Sequence, residues 1–122
     1  MQERRYHKRY QVNVMDIHGE VPFARNVKVL DISLSGALLE TDKGPDLGNS
    51  YMLRMESEGK ELNIQGIAIR STFHKNIKDA SGKHIPKYTA GLHFTNLSED
   101  QIIGIAKFIK DHGIDQLNRP DV

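Results

Sequence analysis

Short runs in which apolar and polar residues alternate recur along this chain and constrain its fold more than any other feature. A period of two is typical of strands that bury one face. Clear examples are Tyr51–Glu56 and Tyr88–Phe94. Clusters of turn-forming residues, such as residues 42–49, separate these runs. The pattern predicts an antiparallel β-structure whose strands are joined mostly by short connections.

Six strands are expected from this pattern, at about residues 12–15, 23–32, 37–41, 51–56, 62–69 and 88–94, with a turn at 16–19. Gly66 suits a bulge or bend that curls the fifth strand. The polar stretch from Lys75 to Lys87 contains Gly82 and Pro86, and we expect it to be a long hairpin loop. A small antiparallel barrel fits this arrangement, because closure removes exposed strand edges.

An amphipathic helix is predicted to follow the last strand. Ser98 is a good N-cap residue, Gln101 completes a capping box with it, and Gly113 is placed to end the helix. Gly104 inside the helix costs about 1 kcal/mol relative to alanine. Apolar residues recur at helical spacing at Ile102, Ile105, Ala106 and Ile109. We therefore predict a mostly β fold, a six-stranded antiparallel barrel with a C-terminal α-helix.

The composition indicates a soluble protein with one domain. The chain has 122 residues, of which 38% are hydrophobic and 27% are charged, and it has no cysteine. No apolar run approaches the roughly 20 residues of a transmembrane helix. The N-terminus has no apolar region after its charges, which argues against a signal peptide. We expect a cytoplasmic protein without membrane insertion, and the missing cysteines fit a reducing compartment.

Motifs for catalysis and for metal binding are missing from the sequence. The six histidines are scattered rather than placed at metal-ligand spacing. Ser33 and Ser35 lack a nucleophile elbow, and there is neither a P-loop nor a dinucleotide fingerprint. The formal charge of +1 and the lack of tryptophan argue against a barrel that binds single-stranded nucleic acid. We expect no catalytic residue, no metal, no cofactor and no nucleic-acid partner.

Two groups of polar residues are the candidates for a ligand site. Asp31, Ser33 and Gly36 lie between two apolar runs, where they form either a simple turn or a concave site at a strand end. A carboxylate accepts hydrogen bonds from the donor edge of guanine, and a serine hydroxyl bonds phosphate or base. Arg5 and Arg9 are either solvated or offer guanidinium forks for phosphate and for the O6/N7 edge of guanine. Together the two groups complement one guanine nucleotide.

The two groups also resemble a known pair of motifs. The segments Arg5-Tyr6-His7-Lys8-Arg9 and Asp31-Ile32-Ser33-Leu34-Ser35-Gly36 are similar to the Arg-x-x-x-Arg and Asp/Asn-x-Ser-x-x-Gly motifs of PilZ domains. The similarity extends to residues 66–70 and 88–94 and covers roughly residues 4–110. PilZ domains are bacterial receptors for the second messenger cyclic di-GMP, built on a six-stranded barrel with a C-terminal helix.

The resemblance implies a role for each motif residue. Arg5 and Arg9 would clamp phosphates and guanine acceptor edges from a flexible basic arm at residues 1–11. Asp31 and Ser33 would hold the donor edge of a guanine and a nearby phosphate, and Gly36 would keep the floor of the site open. The barrel with its helix would span residues 12–113, and residues 114–122 would form a tail.

Two further arginines are candidates for the same ligand. In the family, a basic residue at the position of Arg4 accompanies binding of two stacked ligand molecules rather than one. Arg70 is expected to face outward, where it either supports the site or forms an ion pair at its rim. The resemblance thus implies a cyclic di-GMP receptor that acts on an unidentified effector protein in motility, attachment or exopolysaccharide control. The alternative is a protein-docking adaptor that binds no ligand.

Overall fold

One antiparallel sheet and one helix make up the part of the chain that the structure, a computed structural model, describes, namely residues 10–12, 18–57 and 59–115. The strands are β1 (Tyr10–Val12), β2 (His18–Glu20), β3 (Val27–Ile32), β4 (Gly36–Thr41), β5 (Ser50–Ser57), β6 (Lys60–Lys78), β7 (His84–Phe94) and β8 (Gly113–Asp115), and the helix α1 spans Glu99–His112. The strand order in the sheet is β2-β5-β6-β7-β4-β3-β1-β8.

The sheet curls until one of its edges approaches an inner strand. The edge strand β2 pairs with β5, but Gly19 of β2 also lies against β3. A Cβ atom on Gly19 would be 3.1 Å from Val29 Cγ2. The curled sheet encloses a core of apolar side chains from β3 to β7 and from α1; its largest fully buried apolar members are Val29, Ile32, Leu39, Leu53, Met55, Ile64, Leu92 and Ile105. The predicted fold, mostly β and barrel-like with a C-terminal helix, is confirmed.

Arg54, on β5, forms ion pairs with the strands on both sides of it, β2 and β6. Its guanidinium contacts Glu20 Oε1 of β2 and Glu61 Oε1 of β6, each at 3.0 Å. The hydrogen bond between Arg54 and Glu61 raises the pKa of the arginine and lowers the pKa of the carboxyl group. Since folding lowers the pKa of Glu61, this contribution to stability is complete above the ordinary pKa of a glutamate. It is lost as the pH falls through the lowered value.

The second predicted strand begins later than the sequence pattern indicates. We expected a strand over 23–32, whereas β3 begins at Val27. The carboxylate of Asp42 accepts hydrogen bonds from the backbone N–H of Arg25 and from the side-chain amide of Asn26, both at 3.1 Å. These bonds bind the chain before Val27 to the loop after β4 instead of to a strand ladder.

The first two strands and the segment after the helix also differ from the prediction. The structure gives β1 as Tyr10–Val12, whereas the strand was expected at 12–15; residues 13–17 lie outside the described part. His18 and Gly19, expected in a turn, belong to β2. Gly113–Asp115, where we expected the helix to end and a tail to begin, forms β8 and pairs with β1. The proposed division of the chain into arm, barrel and tail itself stays a prediction.

The prediction of a long loop from Lys75 to Lys87 is wrong. Strand β6 continues to Lys78, β7 begins at His84, and residues 79–83 alone connect them. The bulges of β6 fall between Ala68 and Arg70 and between Phe73 and Lys75, so the expected bulge is not at Gly66. Each bulge shifts the alternation by one residue, which removes the regular period from the sequence.

The C-terminal helix forms as predicted. Ser98 Oγ accepts the backbone N–H of Gln101 at 3.1 Å, and Gln101 Oε1 accepts the backbone N–H of Ser98 at 2.8 Å. This reciprocal pair is a capping box, and it fixes the start of α1. Ile105 is fully buried, whereas Ile103 is 63% exposed, so one face of the helix packs on the barrel. Within the described residues no helix has the length and apolarity to cross a membrane.

Candidate functional site

The turn between β3 and β4 contains two of the predicted site residues. The backbone N–H of Ser33 donates to the carbonyl oxygen of Gly36 at 2.9 Å. The hydroxyl of Ser33 accepts the backbone N–H groups of Ser35 and Gly36 at 3.1 and 3.2 Å. Ser33 is only 5% exposed. Its hydroxyl therefore holds the turn together, as the simple-turn interpretation expects.

Gly36 is required by close packing and not by its backbone angle. The glycines with positive φ in the described chain are Gly48, Gly59 and Gly82, and Gly36 is not among them. A Cβ atom at Gly36 would collide with the carbonyl oxygen of Leu92 in the neighbouring strand β7. The glycine thus lets β4 and β7 approach each other closely at the first residue of β4.

Asp31 reaches the outer face of the barrel because β3 contains a bulge. Val29 and Ile32 are both buried although they are three residues apart, which a regular strand does not allow. The register shifts between Val29 and Asp31, so Asp31 pairs with Leu38 and Ile32 with Ala37. Since Ile32 points into the core, its neighbour Asp31 points outward and is half-buried.

Arg70 shares a cross-strand row with Asp31. The row runs from Asp31 of β3 through Leu38 of β4 and Gly91 of β7 to Arg70 of β6. Paired residues lie on the same face of a sheet, so Asp31 and Arg70 are both on the outer face. Three strand spacings separate their backbones, about 14 Å. Arg70 is exposed, and the prediction that it faces outward is in agreement with its position.

Leu38 and Gly91 form the floor between the two charged residues, and the sequence analysis missed them. Gly91 is buried; a Cβ atom there would be 3.3 Å from Cβ and 4.0 Å from Nε of Arg70, so the arginine lies across the glycine. Alternation alone would place Leu38 and Gly91 on outward positions of their strands. It does not say which strands are neighbours, so the row was not predictable.

The basic residues of the N-terminal segment lie outside the described part of the chain. Arg4, Arg5 and Arg9 precede Tyr10, the first described residue. Tyr10 pairs with Ile32 and the next residue of β1 pairs with Asp31. The described chain therefore starts on the strand beside Asp31. The structure places Asp31, Ser33 and Gly36 at or next to the turn between β3 and β4, and Arg70 three strands away from Asp31 on the same row. The arginines of the arm stay sequence predictions.

Two concavities in the described part of the chain lie outside the predicted site. One concavity of about 350 Å³ lies between α1 and the β5–β6 hairpin and includes Ser57, Leu62 and Phe108 among its lining residues. Another lies beside the loop before β3, next to Phe23 and Asp42. Neither includes a predicted site residue. Within the described ranges no group of histidine, aspartate and glutamate side chains is arranged to hold a metal ion.

Comparison with known proteins supports the fold and shows the family. A search of curated protein sequences found no match. The chain is similar to a solved structure of the PilZ domain of YcgR from Escherichia coli with c-di-GMP. The TM-score is 0.67 at 12% identity, over 88% of this chain and 90% of that one. It is also similar to MrkH, described as a c-di-GMP-dependent transcription regulatory factor, with a TM-score of 0.59 at 19% identity.

The match to MrkH covers 86% of this chain but only 49% of MrkH, so the chain spans about half the length of that protein. At such low sequence identities, the similarity to the two solved structures shows the fold alone. The family itself follows from the sequence, because the family model described as "PilZ domain" matches residues 1–111, nearly the whole chain. This match includes both motifs and every strand from β1 to β7. The chain therefore belongs to the PilZ domain family.

Proposed function

We propose that this chain is a receptor for cyclic di-GMP and has no catalytic activity. The observation that carries the proposal is the row on the outer face that holds Asp31 at one end and Arg70 at the other. A carboxylate suits the donor edge of guanine, and a guanidinium suits phosphate or the acceptor edge. Leu38, half-buried between them, offers an apolar surface on which a flat base can lie, and Gly91 leaves room for the side chain of Arg70. Membership of the PilZ family supports the same ligand.

The basic arm completes this site in our proposal. Arg9 is bonded to Tyr10, and β1 lies beside Asp31, so connectivity alone keeps the arm near the outer face. Arg5 is five residues before Tyr10, a length of chain that spans at most about 18 Å. Arg5 and Arg9 clamp the phosphates, Arg4 adds a further positive charge, and Ser33 and Gly36 hold the turn in place. The arm becomes ordered on binding, which costs conformational entropy.

The output of the receptor is a change of surface that an effector protein reads. Two negative charges on the ligand neutralise part of the arm, and the ordered arm covers a part of the outer face. We place this event in the cytoplasm, in the control of motility, attachment or exopolysaccharide. A ligand-independent adaptor is the competing hypothesis, and it requires no role for Asp31 or for the arm.

Isothermal titration of the full chain with cyclic di-GMP tests the proposal, with GTP and cyclic di-AMP as control ligands. We expect selective, saturable binding, and the stoichiometry decides between one ligand molecule and a stacked pair. Asp31→Ala, Arg5→Ala and Arg9→Ala should each cost about 1.5–3 kcal/mol of binding, the range for hydrogen bonds to charged groups.

Asp46→Ala is the matched control, because Asp46 is an exposed aspartate in the loop before β5 and does not belong to the row. It should bind like wild type. Circular dichroism verifies that Asp31→Ala keeps the fold. The absence of heat with wild type at high protein concentration, with an NMR spectrum that does not change, would replace the receptor with the adaptor. Unchanged binding by Asp31→Ala would remove that residue from the site.

A further inference from the structure

The hairpin of β6 and β7 extends beyond the rest of the sheet as a two-stranded ribbon. Strand β4 pairs with β7 only as far as Thr41 and Tyr88. Strand β5 pairs with β6 only as far as Ser50 and Ile67. No residue from 73 to 88 is buried. We call residues 73–88 the basic ribbon. Apart from Tyr88, which pairs with Thr41, both of its edges lack a neighbouring strand among the described residues.

The basic ribbon concentrates positive charge. It contains four lysines and one carboxylate, which gives it a net charge of +3 in a chain whose total is +1. These residues are Lys75, Lys78, Lys83, Lys87 and Asp79. None of these lysines forms an ion pair within the described part of the chain, where the ion pairs belong to Arg54.

Asp79 forms no ion pair with these lysines among the described residues, and its carboxylate is engaged in the tip of the hairpin. Its Oδ1 accepts the hydroxyl of Ser81 at 2.7 Å and the backbone N–H of Lys83 at 2.9 Å. These bonds lower the pKa of Asp79, with the serine hydroxyl as the largest cause. The carboxylate thus stays ionised at neutral pH and serves to shape the turn.

The two faces of the basic ribbon differ in chemistry. Cross-strand pairs alternate between the faces, and the pair Phe73–Tyr88 continues the inner face, because Tyr88 is paired with the buried Thr41. The outer face then carries Lys75 opposite Lys87 and, two residues further, Ile77 opposite Ile85. It therefore presents a pair of cations beside a pair of isoleucines.

Protection of the strand edges does not account for this arrangement. Lysines, a proline and bulges are common devices that keep ribbon edges from pairing with other chains, and Pro86 and the bulge after Phe73 fit that role. Two lysines directly opposite each other repel, however, and a protective role does not need them on the same pair. It also does not need Ile77 to be 37% exposed beside them.

We propose that the outer face of the basic ribbon docks an extended, acidic segment of a partner protein. Carboxylates of the segment lie between Lys75 and Lys87, and an apolar side chain two residues along the segment packs on Ile77 and Ile85. Nucleic acid fits less well, since this face presents isoleucines and not the aromatic side chains on which bases stack. The outer face continues through Thr72 and Thr89 to Arg70, so a docked partner borders the candidate ligand site. This surface goes beyond the receptor function and needs no ligand.

The test uses the full chain and a labelled peptide of Glu-Ser-Val-Ser repeats, which places acidic and apolar side chains alternately on one face of an extended segment. Fluorescence anisotropy at low salt should show saturable binding. Peptides of Lys-Ser-Val-Ser repeats should not bind, and peptides of Glu-Ser-Ser-Ser repeats should bind more weakly. Absence of saturable binding of the first peptide, or equal binding of the lysine peptide, would overturn the proposal.

Charge-reversal variants locate the surface. The double variant Lys75→Glu and Lys87→Glu should weaken binding of the acidic peptide by about tenfold or more, since opposite-charge contacts become repulsive. The matched control reverses Lys60 and Lys110, which are exposed and lie outside the basic ribbon. The control should change affinity by less than about twofold. An equal loss in both double variants would mean that net charge and not the ribbon binds the peptide, and the proposal would fail.

A third variant and two other probes separate the partner classes. Ile77→Ser should weaken binding of the Glu-Ser-Val-Ser peptide but not of the Glu-Ser-Ser-Ser peptide. Tighter binding of a DNA duplex or of phosphatidylglycerol vesicles than of the peptide would assign the basic ribbon to nucleic acid or to a membrane surface instead. Titration with cyclic di-GMP is independent of these outcomes, so the receptor and the docking surface can fail separately.

Discussion

Single residues of the motif serve the fold and the proposed site at the same time. The hydroxyl of Ser33 accepts two backbone N–H groups, and Gly36 leaves room for the carbonyl oxygen of Leu92. The sequence offered a turn and a ligand site as alternatives for these residues. The structure shows the turn directly, and the turn is also what fixes the end of β3 beside Asp31. Ser33 and Gly36 therefore have structural roles that hold whether or not the motif binds a ligand.

The packing role of Gly36 leads to a prediction about stability. Gly36→Ala should lower the free energy of unfolding by about 1–3 kcal/mol, because backbone atoms of β7 must move to admit the methyl group. Gly66→Ala is the control: its Cβ would be 3.2 Å from the carbonyl oxygen of His93, a tight but less severe approach. Urea unfolding measures both, and we expect a smaller loss for Gly66→Ala. Wild-type stability of Gly36→Ala would contradict the packing role.

The limits of sequence reasoning are clearest at Asp31 and Arg70. Both were chosen for their chemistry, and the register places them on one row. The row depends on two bulges and on which strands are neighbours, and neither is encoded in local periodicity. Leu38 and Gly91 carry no chemical signal of their own and were missed for this reason. The arginines of the arm remain sequence predictions.

At the scale of elements, α1 shows a glycine that helix propensity alone does not explain. Gly104 was expected only to weaken the helix. In the structure, a Cβ atom at Gly104 would lie 2.8 Å from Leu62 Cδ1, so the glycine allows the helix to approach β6 closely. The capping box of Ser98 and Gln101 was predictable because it is encoded within four consecutive residues. The contact of Gly104 with Leu62 joins distant parts of the chain and was not.

A double-mutant cycle separates propensity from packing at this contact. In the background Leu62→Ala, Gly104→Ala should raise the free energy of unfolding by about 0.5–1 kcal/mol, the gain expected from helix propensity. In the wild-type background the same substitution should gain clearly less or lose stability, because Leu62 must change its rotamer. Chemical unfolding of all four proteins gives the coupling energy, for which we expect about 0.5 kcal/mol or more. No coupling would mean that the close approach has no energetic consequence.

The hairpin of β6 and β7 is the element that sequence reasoning described least well. Alternation predicted the parts of both strands that line the core, such as Ile64 and Leu92. Between Phe73 and Tyr88, toward the tip of the hairpin, there is no core for the strands to face, so neither strand needs an apolar period. Gly82 and Pro86 in this region resemble loop residues. The bulge between Phe73 and Lys75 removes the remaining alternation. A ribbon that is exposed on both faces therefore looks like a loop in the sequence.

At the scale of the whole molecule, the described residues form a barrel with a core and a ribbon without one. In the barrel, β4 and β7 are paired over residues 36–41 and 88–93, with Leu39, Ala90 and Leu92 buried in the core. In the basic ribbon the clearest side-chain contact is the T-shaped pair of Phe73 and Tyr88, with ring centroids 5.7 Å apart. The free energy that holds the ribbon must come mainly from its backbone hydrogen bonds and from its tip.

Local stability should follow this division, and native-state hydrogen exchange can measure it. Amides of residues 75–78 and of His84, Ile85 and Lys87 should exchange at least about a hundredfold faster than those of residues 37–40 and 90–92, because the ribbon can open without exposing core side chains. The ribbon should also respond to pH. The pKa of Asp79 is lowered by its hydrogen bonds, so its contribution is complete above the ordinary aspartate pKa and is lost as the pH falls through the lowered value. Asp79→Asn should then accelerate exchange in the ribbon at neutral pH and leave the barrel amides unchanged. Equal protection of ribbon and barrel would show that the two open as one cooperative unit, and the ribbon would then be a rigid extension of the sheet.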